Sequence, residues 1–75
     1  MVRHGNESEI AMAENRRMAA ARVLKGITQR KLAELVGTRE IEISRSDTGR
    51  LEPDRVMKER IALVLQKPTF ELFDN

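Results

Sequence analysis

The sequence predicts an all-α domain of five short helices. Three observations carry that prediction. No stretch of the 75 residues alternates cleanly between apolar and polar side chains, as a half-buried strand would. Aromatic residues, which strands favour, make up only 3% of the chain. Helix formers fill the intervals between glycines and prolines that stand where helices should stop.

Residues 1–13 lack a consistent apolar face. Asn6 or Ser8 can cap a helix, yet Ile10, Ala11 and Met12 share no side. This stretch reads as an N-terminal arm or helical extension, with residues 14–75 forming the domain proper. The first helix runs from Glu14 to Lys25, with Met18, Ala21, Arg22 and Lys25 on one face at steps of three and four. Gly26 ends it in the left-handed conformation. Thr28 is a good N-cap for a second helix. Its apolar face is Leu32, Ala33, Leu35 and Val36, and Gly37 stops it. A third helix starts near Thr38, passes through Ile41, Ile43 and Arg45, and ends near Gly49. Pro53 starts or precedes a fourth, since proline is tolerated in a first turn. Val56, Met57, Arg60, Ile61, Val64 and Leu65 form its apolar side, and Pro68 breaks it. One last turn carries Phe70, Leu72 and Phe73.

Composition narrows the function. The chain has 14 Lys+Arg against 12 Asp+Glu, a net charge of +2 that permits nucleic-acid binding without arguing for it. With no Cys, there is no disulfide and no thiolate metal site. The single His, His4, sits in the arm, which leaves no imidazole metal cluster and no Ser/His/Asp or Cys/His catalytic set. No enzyme activity, cofactor or metal is therefore expected. No apolar run approaches a membrane span, and the N-terminus has no apolar signal core, so the expected location is cytoplasmic. A domain this small has a marginal core, which points to a partner subunit as support.

The informative stretch is Gln29 to Arg45. A short helix, a glycine and a second short helix make a helix-turn-helix, in which the glycine permits a tight reversal. Ala33 is small where the helices must cross, Ile43 packs back onto the first of the pair, and Leu32 and Val36 fill the space beneath. Here the chain resembles a known family. Ile27–Thr28–Gln29, Leu32–Ala33–Glu34–Leu35–Val36–Gly37, Ile43–Ser44–Arg45, Gly49 and Pro53 resemble the Cro/phage-repressor (xenobiotic-response-element, XRE) helix-turn-helix family. Ile61–Ala62–Leu63–Val64–Leu65 and Glu71–Leu72–Phe73 match its fourth and fifth helices. The resemblance covers residues 18–73. It implies a compact five-helix, lambda-repressor-like DNA-binding domain whose helices two and three form the helix-turn-helix. It further implies a homodimeric transcriptional regulator, read here as a repressor, bound to double-stranded DNA.

The third helix is then expected in the major groove, with its N-terminal half against base edges. Its candidate base contacts are Arg39, Glu40, Ile41, Glu42, Ser44 and Arg45. Arg45 can donate twice to guanine, Glu40 can accept from cytosine N4, and Ile41 can meet a thymine methyl. Against this stands the charge of Arg39 to Gly49, two positive and three negative, or −1 net. Candidate phosphate contacts are Thr28, Gln29, Arg30, Lys31 and Arg50; Thr28 and Gln29 lie where backbone N–H groups are exposed at a helix start. The resemblance pairs Arg22 with Asp47 as fold support. Asp is one methylene shorter than the family's usual Glu, so a long or water-bridged pair is expected. Ser46 replaces a bulky apolar residue, which predicts poor packing behind the third helix, and Thr48 stands where Asn or Arg is common. Met57, Phe70 and Phe73 are the expected dimer patch, and Arg3 and His4 can form an arm along DNA. Two other readings remain. One is the antitoxin of a toxin–antitoxin pair, with a cognate toxin as partner. The other is a protein-interaction module that keeps the fold and has lost DNA.

Overall fold

A glycine costs little in the left-handed region, and the chain uses this to end helices. A computed structural model describes residues 16–73 and contains five helices with no strand among them: α1 Arg16–Leu24, α2 Gln29–Val36, α3 Glu40–Asp47, α4 Arg55–Leu65 and α5 Thr69–Leu72. Gly26 (φ 71°) and Gly37 (φ 84°) follow α1 and α2 as expected. The end of α4 differs from a break imposed by Pro68. Gln66 turns left-handed there at φ 59°, and its N–H bonds back to Ala62 and Leu63, so the helix stops before Pro68 is reached. The arm expected over residues 1–13, with Arg3, His4, Asn6 and Ser8, lies outside the described residues, as do Glu14 and Asn15.

Side-chain caps fix the starts of α2 and α4. The Thr28 hydroxyl accepts from the Lys31 N–H at 3.0 Å. The Asp54 carboxylate accepts from the Met57 N–H at 2.9 Å. Both satisfy an N–H that the first helical turn otherwise leaves without a partner. Asp54 rather than Pro53 is thus the cap of α4, and Pro53 is buried just ahead of it.

The core is one cluster drawn from every helix: Met18, Ala21, Leu32, Ala33, Val36, Ile43, Ile61, Ala62, Leu65, Leu72 and Phe73. Helix α2 packs on α3 and α4, α1 packs on α3 and α5, and α4 packs on α5. Ala33 and Ile43 are buried, as close helix crossing requires. Three positions read as facing inward turn outward instead, whereas Ile41, an expected base contact, is exposed as that role requires. Leu35 is 50% exposed and Val56 55%, and Lys25 lies past the end of α1 on the surface. Arg60 is also exposed, although its guanidinium reaches back to the Val36 carbonyl at 3.3 Å. A short helix has room for only one buried stripe, and Leu32, Val36, Ile61 and Leu65 occupy it. Among the described residues, no helix is long and apolar enough to cross a membrane.

Candidate nucleic-acid interface

The candidate site is built on α3 and on the start of α2, and a buried polar knot joins the two. Arg22 of α1 donates from Nη2 to Asp47 Oδ2 at 2.9 Å and from Nη1 to the Ile27 carbonyl at 2.7 Å. Gln29, the first residue of α2, donates from Nε2 to the same Asp47 oxygen at 2.8 Å. The Arg22–Asp47 pair is therefore direct, not long or water-bridged. Close packing of α1 on α3 removes the distance that the missing methylene would have opened. Arg22 Nε and Asp47 Oδ1 have no partner among the described residues, so the two groups meet through one hydrogen bond instead of a bidentate pair. With side-chain exposures of 12% and 5%, the pair is shielded from solvent. A charge buried at this depth needs its counter-charge.

A second knot closes the N-terminus of α3. Arg39 is the N-cap but supplies no side-chain cap bond. Instead the Thr38 hydroxyl donates to the Glu42 carboxylate. Arg39 adds bonds from Nε at 3.3 Å and Nη2 at 3.0 Å. These donors, Thr38 first and Arg39 second, hold the Glu42 carboxyl below the usual carboxylate range. Because the folded pKa lies below the unfolded one, the stabilisation is present at neutral pH and is lost as pH falls through the acidic range. Thermal melts of Glu42→Gln should therefore lie below wild type at pH 7 and converge with it near pH 3. A constant gap across that range would show that the Thr38–Glu42–Arg39 knot contributes nothing.

The knots redistribute the charge of α3. Of its three acids, Asp47 is buried against Arg22 and Glu42 is drawn back onto Thr38 and Arg39. Glu40, Ile41 and Arg45 remain exposed on the outer surface, with Ser44 half-buried beside them. Neither Glu40 nor Arg45 makes a hydrogen bond or ion pair through its side chain with another described residue. The −1 sum over this segment thus overstates the acid that its outer face presents.

The back of α3 departs from expectation in part. Ser46 is 2% exposed and its hydroxyl donates to the Glu42 carbonyl at 2.9 Å, so no polar group is stranded there. An open depression of about 270 Å³ lies beside it, lined by Ser46, Ile43, Leu51, Pro53 and Met57 among others. The Thr48 hydroxyl lies 3.2 Å from the carbonyls of Ser44 and Arg45 and finishes the helix.

The other expected positions are placed as follows. Thr28, Arg30, Lys31 and Arg50 are exposed. Arg30 lies 3.8 Å from Glu34, a solvated pair. Gln29 is half-buried, with its amide nitrogen already engaged by Asp47. Phe70 is 67% exposed, whereas Met57 is half-buried against the core. Phe73 corrects the expected dimer patch. At 2% exposure it lies in the monomer core, with the Lys58 ammonium 5.4 Å from its ring centroid, and offers no surface to a second copy. Sequence reasoning did not anticipate Thr38 as the partner of Glu42, nor Gln29 as a partner of Asp47. The i,i+4 spacing of Thr38 and Glu42 carried the first signal, and nothing local carried the second. No family model matches this chain, and no curated protein matches it.

Proposed function

We propose that this chain is a sequence-specific DNA-binding domain of the lambda-repressor-like type. In this reading α2 and α3 form the helix-turn-helix, α3 enters the major groove, and the protein acts as a homodimeric regulator of transcription. The observation that carries the reading is the outer surface of α3. It presents Glu40, Ile41 and Arg45 to solvent with Ser44 half-buried beside them, while the remaining acids of the helix pair with Arg22 and Arg39, Thr38 adding a hydrogen bond to Glu42. The reading of the chain as a protein-interaction module drew its force from the net acid of this helix; of its three acids, Asp47 is buried against Arg22 and Glu42 is paired with Arg39 at the surface, which leaves Glu40, opposite in charge to Arg45.

The roles follow from side-chain chemistry. Arg45 suits guanine O6 and N7, Glu40 suits cytosine N4, and Ile41 suits a thymine methyl. Glu42 and Arg39 are occupied with each other and contribute rigidity to the helix start more than base contact. Thr28, Arg30, Lys31 and Arg50 supply groups that suit phosphate oxygens. The N–H groups at the start of α2 add the favourable end of the helix dipole.

The test is selection from randomised duplex DNA, followed by anisotropy titrations over a salt series. Selected duplexes should bind with an affinity that falls steeply with salt. Arg45→Ala should cost ~1–3 kcal/mol and relax preference at one base position while leaving the salt slope unchanged. Absence of binding at low salt, or affinity indifferent to salt, would overturn the reading.

A further inference from the structure

Helix α4 buries one side and leaves another bare. Ile61 and Leu65 are fully buried, and Met57 and Val64 pack against the core. On the opposite side Val56 is 55% exposed and Leu63 80%. These two are seven residues apart, or about two turns and ~10.5 Å along the axis, so they share one surface stripe. Midway between them, Glu59 and Arg60 are both exposed. Arg60 is anchored on the α2 side through the Val36 carbonyl. Glu59 lies on the α5 side, where it borders a depression shared with Leu63, Pro68 and Thr69. The stripe thus reads apolar, then a pair of opposite charges, then apolar.

We infer that this stripe is the contact between two copies of the chain, with α4 packed antiparallel on α4 of the partner about a two-fold axis between Glu59 and Arg60. The pattern is complementary to itself under that operation and to no parallel copy. Reversal of one helix sets Val56 against the partner's Leu63 and Glu59 against the partner's Arg60, and each contact occurs twice, as two-fold symmetry requires. A parallel arrangement would set Glu59 on Glu59 and Arg60 on Arg60. Glu59 already lies 3.5 Å from Arg55, but these side chains are 61% and 91% exposed, so little opposes exchange of that pair for a partner across an interface. The apolar ends supply attraction, and the central charges select the antiparallel register. The inference names the surface for the homodimer in the proposed function; it replaces a patch that had included Phe73, and it does not depend on DNA.

The experiment is sedimentation equilibrium on the full chain across a concentration series. Wild type should show a monomer–dimer equilibrium. Leu63→Lys changes a side chain 80% exposed and outside the core, so the fold is retained; the dissociation constant should rise at least tenfold. Glu59→Arg should weaken association in the same way, because the new guanidinium would face the like charge of the partner's Arg60. The double variant Glu59→Arg with Arg60→Glu, which restores opposite charges in exchanged positions, should recover much of the loss. A monomeric wild type at high concentration, or a dimer indifferent to Leu63→Lys and Glu59→Arg, would overturn the inference. Salt-dependent DNA binding by such a protein would leave the DNA reading standing. A stripe-dependent dimer that binds no DNA would support the interface and overturn the DNA reading alone.

Discussion

Asp47→Ala should lower stability by ~3–5 kcal/mol, the cost typical of removing one member of a buried ion pair. The Asp47 carboxylate accepts from Arg22 and Gln29, and its removal strands a guanidinium whose side chain is 12% exposed. A single core in a domain below ~70–80 residues rarely supplies more than ~3–5 kcal/mol in total. The variant should therefore be largely unfolded at 25 °C by circular dichroism. Asp47→Asn keeps a carbonyl acceptor in place and should lose less, melting between wild type and the alanine variant. Equal melting of all three proteins would show that the knot holds nothing together. The charge matters here beyond geometry, because Arg22 binds α1, the α1–α2 loop and α3 at once through Asp47 and the Ile27 carbonyl.

Phe73→Ala should cost ~3–5 kcal/mol through lost burial and the cavity left behind. Phe73 is 2% exposed and belongs to the central cluster with Leu72, although it lies just past the last helix. The Lys58 ammonium sits 5.4 Å from its ring centroid and also pairs with Glu52. The truncation thus removes a cation–π contact as well as apolar area. The loss should be the same at low and high protein concentration, because the side chain serves the monomer. A melting temperature that drops only in dilute solution would mean that Phe73 acts at a subunit contact instead. Phe70→Ala, at a side chain 67% exposed, is the matched control and should change monomer stability little.

Much of the fold is legible along the chain because its determinants are local. Thr28 capping α2, Gly26 and Gly37 ending helices, and the steps of three and four that bury Leu32, Val36, Ile61 and Leu65 all act within one or two turns. The same patterns specify five helices and no strand among the described residues. The local signal fails where two stripes of a helix are both apolar. Val56 and Leu35 carry the same hydrophobic character as buried Val36 and Leu65, and periodicity alone cannot rank them. The candidate site is legible in its residue types but not in their partners. Arg39 meets Glu42 through the local three-residue spacing of a helix start, but that Gln29 turns to Asp47 eighteen positions away follows from how α1, α2 and α3 converge.

The sequence by itself determined the helical class, the boundaries of α2, and the residue types along α3, because each depends on caps, glycines and the helical period. Only the tertiary structure decided that Asp47 is withdrawn from the outer surface of α3, that Phe73 faces inward, and that Val56 faces outward beside Leu63 and a pair of opposite charges. The physical reason is range. Backbone preference and periodicity act over a few residues, whereas charge neutralisation and burial depend on which helices meet, and that is set by close packing of the whole core.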